Sequence, residues 1–249
     1  MNLPPIRAAA RTDANSQIAH KQLIEKAKKG GIDIYFVGDS ITRRWGATDP
    51  QYNELLRNWT TNFFGWNAAN FGWGADRIEN ILWRLENGEL DSVNPRIIVI
   101  LAGINNVGTD PGPPEKAAYI AAGVRSIVDV CRQKAPAATI VVTAIFPRND
   151  NMAVVPVINA ANREIAKTAD GRKVRFLDIN SKLADDNGKF FEGMMNADQL
   201  HPTVKAYQVW ADALKPIFTE MLGPPAATDH APPPTGDPSL TMKRSAPAL

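Results

Sequence analysis

Apolar positions fall along this chain in two alternating rhythms. Short, solid runs of β-branched and aromatic residues, such as Ile34-Tyr35-Phe36-Val37 and Ile97-Ile98-Val99-Ile100-Leu101, read as strands buried on both faces. Between them, apolar residues recur at three and four, as in Ile78, Ile81, Leu82 and Leu85, the period of a helix with one buried stripe. Strands are predicted over about 33–38, 67–71, 97–101, 139–145 and 174–179. Helices are predicted from Ser16, a candidate cap, to Gly30-Gly31, and over about 52–59, 76–88, 114–134, 155–169 and 203–222. Pro114 suits the first turn of its helix. Strict alternation of strand and helix predicts an α/β fold, a three-layer α/β/α sandwich with a five-stranded parallel sheet and right-handed crossovers.

Three regions differ in texture. Residues 1–15 lack periodicity and read as an irregular arm, 16–222 as one domain, and 223–249 as a disordered or loosely attached tail. Seven prolines and few large apolar residues in 224–249 carry the last expectation. The turn-like Asp185-Asp186-Asn187-Gly188 lacks the later ligands of a calcium loop.

Composition narrows the function. With 249 residues, 44% of them hydrophobic, the chain can bury one sizeable core. A net charge of +2 gives no electrostatic case for nucleic acid or anionic membrane. The single cysteine, Cys131, excludes an internal disulfide and a cysteine-rich metal site, and its place on a helix's apolar side makes it a buried thiol. No run is long enough for a membrane span. The amino terminus, Met1-Asn2-Leu3-Pro4-Pro5, has no apolar signal core, so the compartment is cytoplasmic, or secreted or periplasmic where a signal has been removed. No strand leads into Gly-x-Gly-x-x-Gly or a phosphate loop, so a nucleotide cofactor is not expected; the reading includes no metal either. A homo-oligomer stays open.

The chemistry sits where strands end. In a parallel sheet all carboxyl ends share one edge, where such folds bind ligands. The first strand ends in Gly38-Asp39-Ser40, the second at Gly72, the third before Asn105, and Asp198 and His201 precede the last helix. A serine hydroxyl needs a base to become a nucleophile. Of three histidines, His20 lies in the first helix and His230 in the tail, which leaves His201 as the base for Ser40, with Asp198 to orient it. The amides of Ser40 and Gly72 and the carboxamide of Asn105 are candidate donors to an oxyanion.

The blocks Gly38-Asp39-Ser40-Ile41, Asn70-Phe71-Gly72-Trp73-Gly74, Gly103-Ile104-Asn105-Asn106 and Asp198-x-x-His201, in this order, resemble those of the SGNH, or GDSL, hydrolases. Asn106 stands where that pattern often has aspartate. The stretch Asn80–Leu90 is similar to the catalytic subunits of platelet-activating-factor acetylhydrolases, which implies a flavodoxin-like sheet and short acyl groups. The resemblance implies a cofactor-free serine esterase: Ser40 nucleophile, Asp198 and His201 completing a triad, and Ser40, Gly72 and Asn105 forming the oxyanion hole. The expected substrate is a small-molecule or carbohydrate ester. Trp73, Phe146 and Leu200 are expected to close the acyl side, and Trp45 or Trp73 to stack on a sugar. Asp39 and Asn106 are counted as substrate-facing with them. The alternatives are a lysophospholipase or thioesterase with a longer acyl pocket, or a catalytically idle binding protein.

Overall fold

The computed structural model describes residues 6–242. In chain order the elements are α1 (Ala14–Lys28), β1 (Ile34–Gly38), α2 (Ser40–Trp45), α3 (Asn53–Phe63), β2 (Ala68–Asn70), α4 (Ile78–Arg84), β3 (Ile97–Leu101), α5 (Ile104–Val107), α6 (Lys116–Lys134), β4 (Thr139–Thr143), α7 (Val155–Ala166), β5 (Val174–Leu177), α8 (Asn180–Leu183), α9 (Val204–Leu222) and α10 (Pro238–Met242). All four strand pairings are parallel, in the order β2-β1-β3-β4-β5. The chain steps outward from β1 to β2, then crosses back to β3 on the other side of β1. The carboxyl ends of β1 and β3 therefore flank the point where the winding reverses, the position at which such sheets open a crevice. Gly38 pairs with Leu101 at this edge.

Helices cover both faces. Phe36 points toward α2, α3 and α9, its ring within 6.3 Å of those of Trp45, Trp59, Phe63, Trp210 and Phe218. Its neighbour Tyr35 faces the opposite side, as strand alternation demands, and stacks on Phe71 at 4.0 Å. There α6 packs against both α4 and α7. Cys131 is buried and burial pushes its thiol up to about 12, consistent with an inert core residue.

Element boundaries differ from expectation mostly at ends. The first helix starts at Ala14, because the Asp13 carboxylate caps it by accepting the Ser16 amide at 2.9 Å; Ser16 itself lies inside, buried. The predicted helix over 76–88 is α4 plus a wider turn, Leu85–Glu89, closed by Gly88 at φ 114°. Asp185–Gly188 is a tight turn, with the Gly188 amide donating to Asp185 O at 2.8 Å. The irregular arm shrinks to residues 6–12; its first five residues lie outside the described ones.

The carboxyl-terminal segment departs most from the expectation of a loose tail. The Ala226 amide donates to Gly65 O at 2.9 Å, and the Asp229 carboxylate accepts the amides of Gly65 (2.8 Å) and Asn67 (3.2 Å). Farther on, Thr235 bridges Ala47, and the Asn15 carboxamide donates to Asp237 at 2.8 Å. The segment is held by backbone and polar side-chain hydrogen bonds. Residues 243–249 of the predicted tail lie outside the described ones.

Candidate active site

Strand β1 must end in glycine: a Cβ at Gly38 would stand 2.3 Å from Leu101 O. The next residue, Asp39, caps α2, its Oδ1 accepting the Ile41 amide at 2.9 Å. It is wholly buried, and burial pushes its carboxyl up to about 7. Asp39 thus holds the start of α2 and does not face a substrate, contrary to the sequence expectation. Ser40 follows, half-buried, at the first position of the helix.

The Ser40 hydroxyl donates to His201 Nε2 at 2.9 Å, and His201 Nδ1 donates to Asp198 Oδ2 at 2.8 Å. The serine and the histidine are 161 residues apart in sequence. The Asp198 carboxylate also accepts the amides of His201 (2.9 Å) and Leu200 (3.1 Å), a turn closed with Gln199 at φ 54°. The Asn196 carboxamide pins the His201 and Pro202 carbonyls. Burial works to raise the Asp198 carboxyl, but the His201 and Leu200 amides and the imidazole outweigh it and hold it near 2. His201 is pushed below 6.5, first by burial and then by the Arg44 guanidinium, with Asp198 opposing. Arg44, one turn beyond Ser40 on α2, lies 3.6 Å from Asp198. The imidazole is therefore neutral at pH 7, its Nε2 lone pair aimed at the hydroxyl, as a general base requires.

Gly72 stands apart from the expected oxyanion donors. Its amide donates to Asn70 Oδ1 at 2.9 Å, so it is already spent. Its need for glycine is steric, since a Cβ would sit 2.7 Å from Arg43 N. Beyond it, the Trp73 amide closes on Gly38 O at 3.0 Å, which brings residues 73–76 against the end of β1. Among the described residues, the amides of Gly74 and Ala75 have no acceptor. Ala75 is exposed and left-handed at φ 62°, a backbone an alanine adopts at a cost of about 1–2 kcal/mol. The Asn105 carboxamide, half-buried, donates one hydrogen to Asp76 O at 2.8 Å and keeps its second. Ser40, Ala75 and Asn105 are therefore the candidate oxyanion donors at this edge, Ala75 standing in for the expected Gly72. Sequence reasoning missed Ala75 because a backbone amide carries no residue signature; the strained turn at a non-glycine is visible only in the fold.

The remaining candidates separate. Asn106 is spent on α4, its Oδ1 accepting the Ile78 amide and its Nδ2 donating to Glu79, both at 2.9 Å. Trp73 is buried between the guanidinium groups of Arg43 (4.7 Å) and Arg84 (5.9 Å), and Trp45 lies in the aromatic core, so neither presents a face to a sugar. Phe146 is buried against Trp210, 5.3 Å between rings. Leu200, beside His201, is half-buried and alone of this group still meets solvent. The loop after α5 is tied by Arg148, which donates to Gly108 O at 2.9 Å, and by Asn151, which donates to Thr109 O at 2.5 Å.

Comparison with known proteins bears on the family and the fold. Residues 36–209 match the model of the GDSL-like lipase/acylhydrolase family. Subunit alpha1 of the Bos taurus platelet-activating factor acetylhydrolase IB is 27% identical over 221 residues, covering 88% of this chain and 89% of that one. Two solved structures share the fold: a GDSL-like lipase from Bacteroides thetaiotaomicron (TM-score 0.65, 17% identity, 82% of this chain and 98% of that one) and an acetyl-xylooligosaccharide esterase from Geobacillus (TM-score 0.56, 20% identity, 77% and 96%). An α/β sheet with a hydroxyl, an imidazole and a carboxylate in series at its reversal point, matched over most of its length, leaves one conclusion: this chain belongs to the GDSL-like lipase/acylhydrolase family and is a carboxylic ester hydrolase.

Proposed function

We propose that the chain hydrolyses short, acetyl-type esters through an acyl-enzyme on Ser40, with O-acetylated carbohydrate as a fitting substrate. The observation that carries the reading is the unbroken hydrogen-bond series Ser40–His201–Asp198. His201 takes the hydroxyl proton as Ser40 Oγ attacks the ester carbonyl. The amides of Ser40 and Ala75 and the second Asn105 hydrogen receive the oxyanion. His201 then returns the proton to the departing alcohol, and the acyl group remains on Ser40. Water, deprotonated by the same imidazole, attacks the acyl-enzyme and regenerates the serine.

The short acyl group is supported by bulk. Leu200, half-buried and packed on the core, directly precedes His201, and Phe146 is buried against Trp210. The groove between α1 and Pro233–Leu240 is lined by neither Ser40 nor His201. The printed names of two relatives, an acetylhydrolase and an acetyl-xylooligosaccharide esterase, favour the same acyl class. A groove bordered by Arg44, Tyr52, Asn196 and Lys205, with Arg44 3.6 Å from Asp198, suits a hydroxyl-rich alcohol portion.

The test is hydrolysis of p-nitrophenyl esters from acetate to palmitate by wild type and Ser40→Ala, followed by acetylated sugars. Turnover confined to acetate and butyrate, absent in the variant, is expected. A maximum at long chains would replace this reading with a lysophospholipase or thioesterase.

A further inference from the structure

Behind the 73–76 turn lies a buried ionic network that the reaction cycle does not use. Asp76, Arg84 and Glu89 are all at least 96% buried. Arg84 spreads its fork over three partners: Nε donates to Asp76 Oδ2 (2.5 Å), Nη1 to Glu89 Oε1 (3.3 Å) and Nη2 to Ser16 Oγ (2.6 Å). His20 Nδ1 closes the far end on Glu89 Oε1 at 2.7 Å. At the near end, Arg11 bridges Asp76 Oδ1 (3.4 Å) and Gly74 O (3.2 Å).

Asp76 is where this network meets the site. Its carboxylate belongs to Arg84, its carbonyl receives the Asn105 carboxamide, and its amide closes the turn on Trp73 O at 3.3 Å. It also directly follows Ala75, the left-handed residue with the unspent amide. An alanine does not hold that conformation unaided. A carboxylate buried this deeply stays where its cation is, because leaving it unpaired is costly. One residue thus fixes two of the three oxyanion donors, and Arg84 fixes that residue.

We propose that Arg84 is a positioning residue for the oxyanion hole, acting through Asp76 to aim the Ala75 amide and the Asn105 carboxamide. This deepens the ester-hydrolysis reading and rests on it. Arginine is required rather than any cation, because three partners in three directions need a planar fork. Lysine keeps the charge and loses the geometry.

The experiment compares the full-length wild type with Arg84→Lys and Asp76→Asn. It measures kcat and KM on p-nitrophenyl acetate, the affinity of phenylboronic acid, whose tetrahedral serine adduct mimics the oxyanion, and the acid limb of the pH–rate profile, which reports His201. Wild-type turnover, abolished by Ser40→Ala, first establishes the esterase reading; an inactive wild type would sink that reading and this proposal with it, whereas an active wild type with unaffected variants would sink this proposal alone. In both variants kcat is expected to fall at least about tenfold while KM stays within about threefold. Boronate affinity should fall with kcat, and the acid limb should not move. Folded variants with wild-type kcat and boronate affinity would overturn the proposal, as would a shifted acid limb with boronate affinity intact. A lower melting temperature with unchanged kcat per active site would show a merely structural role and would also overturn it. Should Arg84→Lys fail to fold, Asp76→Asn, which preserves shape, decides alone.

Discussion

At the scale of single residues, the site separates groups that look alike in sequence by what their atoms are already bonded to. Gly72 and Ala75 both lie in one short block, yet only the Ala75 amide is unspent. Asn105 and Asn106 are neighbours, yet only Asn105 keeps a free hydrogen. Asn105→Ala should therefore lower kcat by about 10²–10³, measured on p-nitrophenyl acetate, whereas an unchanged rate would make Asn105 a structural residue. The imidazole makes a second prediction. Because burial and then Arg44 hold His201 below 6.5, kcat/KM should rise with pH along a limb centred below that value. Removing the cation favours the protonated ring, so Arg44→Gln should move the limb to higher pH. A limb that stays in place would remove Arg44 from the electrostatics of the base.

At the scale of elements, Asp39 ties the end of β1 to α2 from a wholly buried position. Its folded pKa, pushed up to about 7 from 3.8 by burial, favours the neutral acid in the folded state. The stability this contributes is complete below pH about 4 and is lost as pH rises toward 7. Melting temperature should therefore fall more steeply over that range in wild type than in Asp39→Asn, whose carboxamide still accepts the Ile41 amide; parallel curves would contradict this. The order and type of the elements were legible in the sequence, because solid apolar runs such as 97–101 and helical repeats such as 78, 81, 82 and 85 each satisfy one period only. Parallel topology placed Ser40 and Asn105 at one sheet edge, and His201 was reached by elimination among three histidines. What was not legible depends on competition between partners. Asp13 and Ser16 are both good caps, and only packing decides that Ser16 is buried. The Asn70 side chain takes the Gly72 amide, and two arginines enclose Trp73, neither of which a spacing reveals.

At the scale of the whole molecule, residues 224–240, which follow α9, are part of the domain's surface. Asp229 satisfies the amides that lead into β2, and Asp237 links α1 to α10. Ending the chain after Gly223 strips these amides of their partners. The melting temperature should drop by about 5 °C or more, and an unchanged value would show that the segment only rests on the surface. The sheet exists, in functional terms, to bring a hydroxyl at the end of β1 to an imidazole 161 residues later. The most direct test of the account is mass spectrometry of the enzyme acid-quenched during turnover of p-nitrophenyl acetate. The account predicts the mass of one acetyl group on the peptide that contains Ser40, absent in Ser40→Ala. Sustained hydrolysis with Ser40 unmodified, or undiminished in Ser40→Ala, would contradict it.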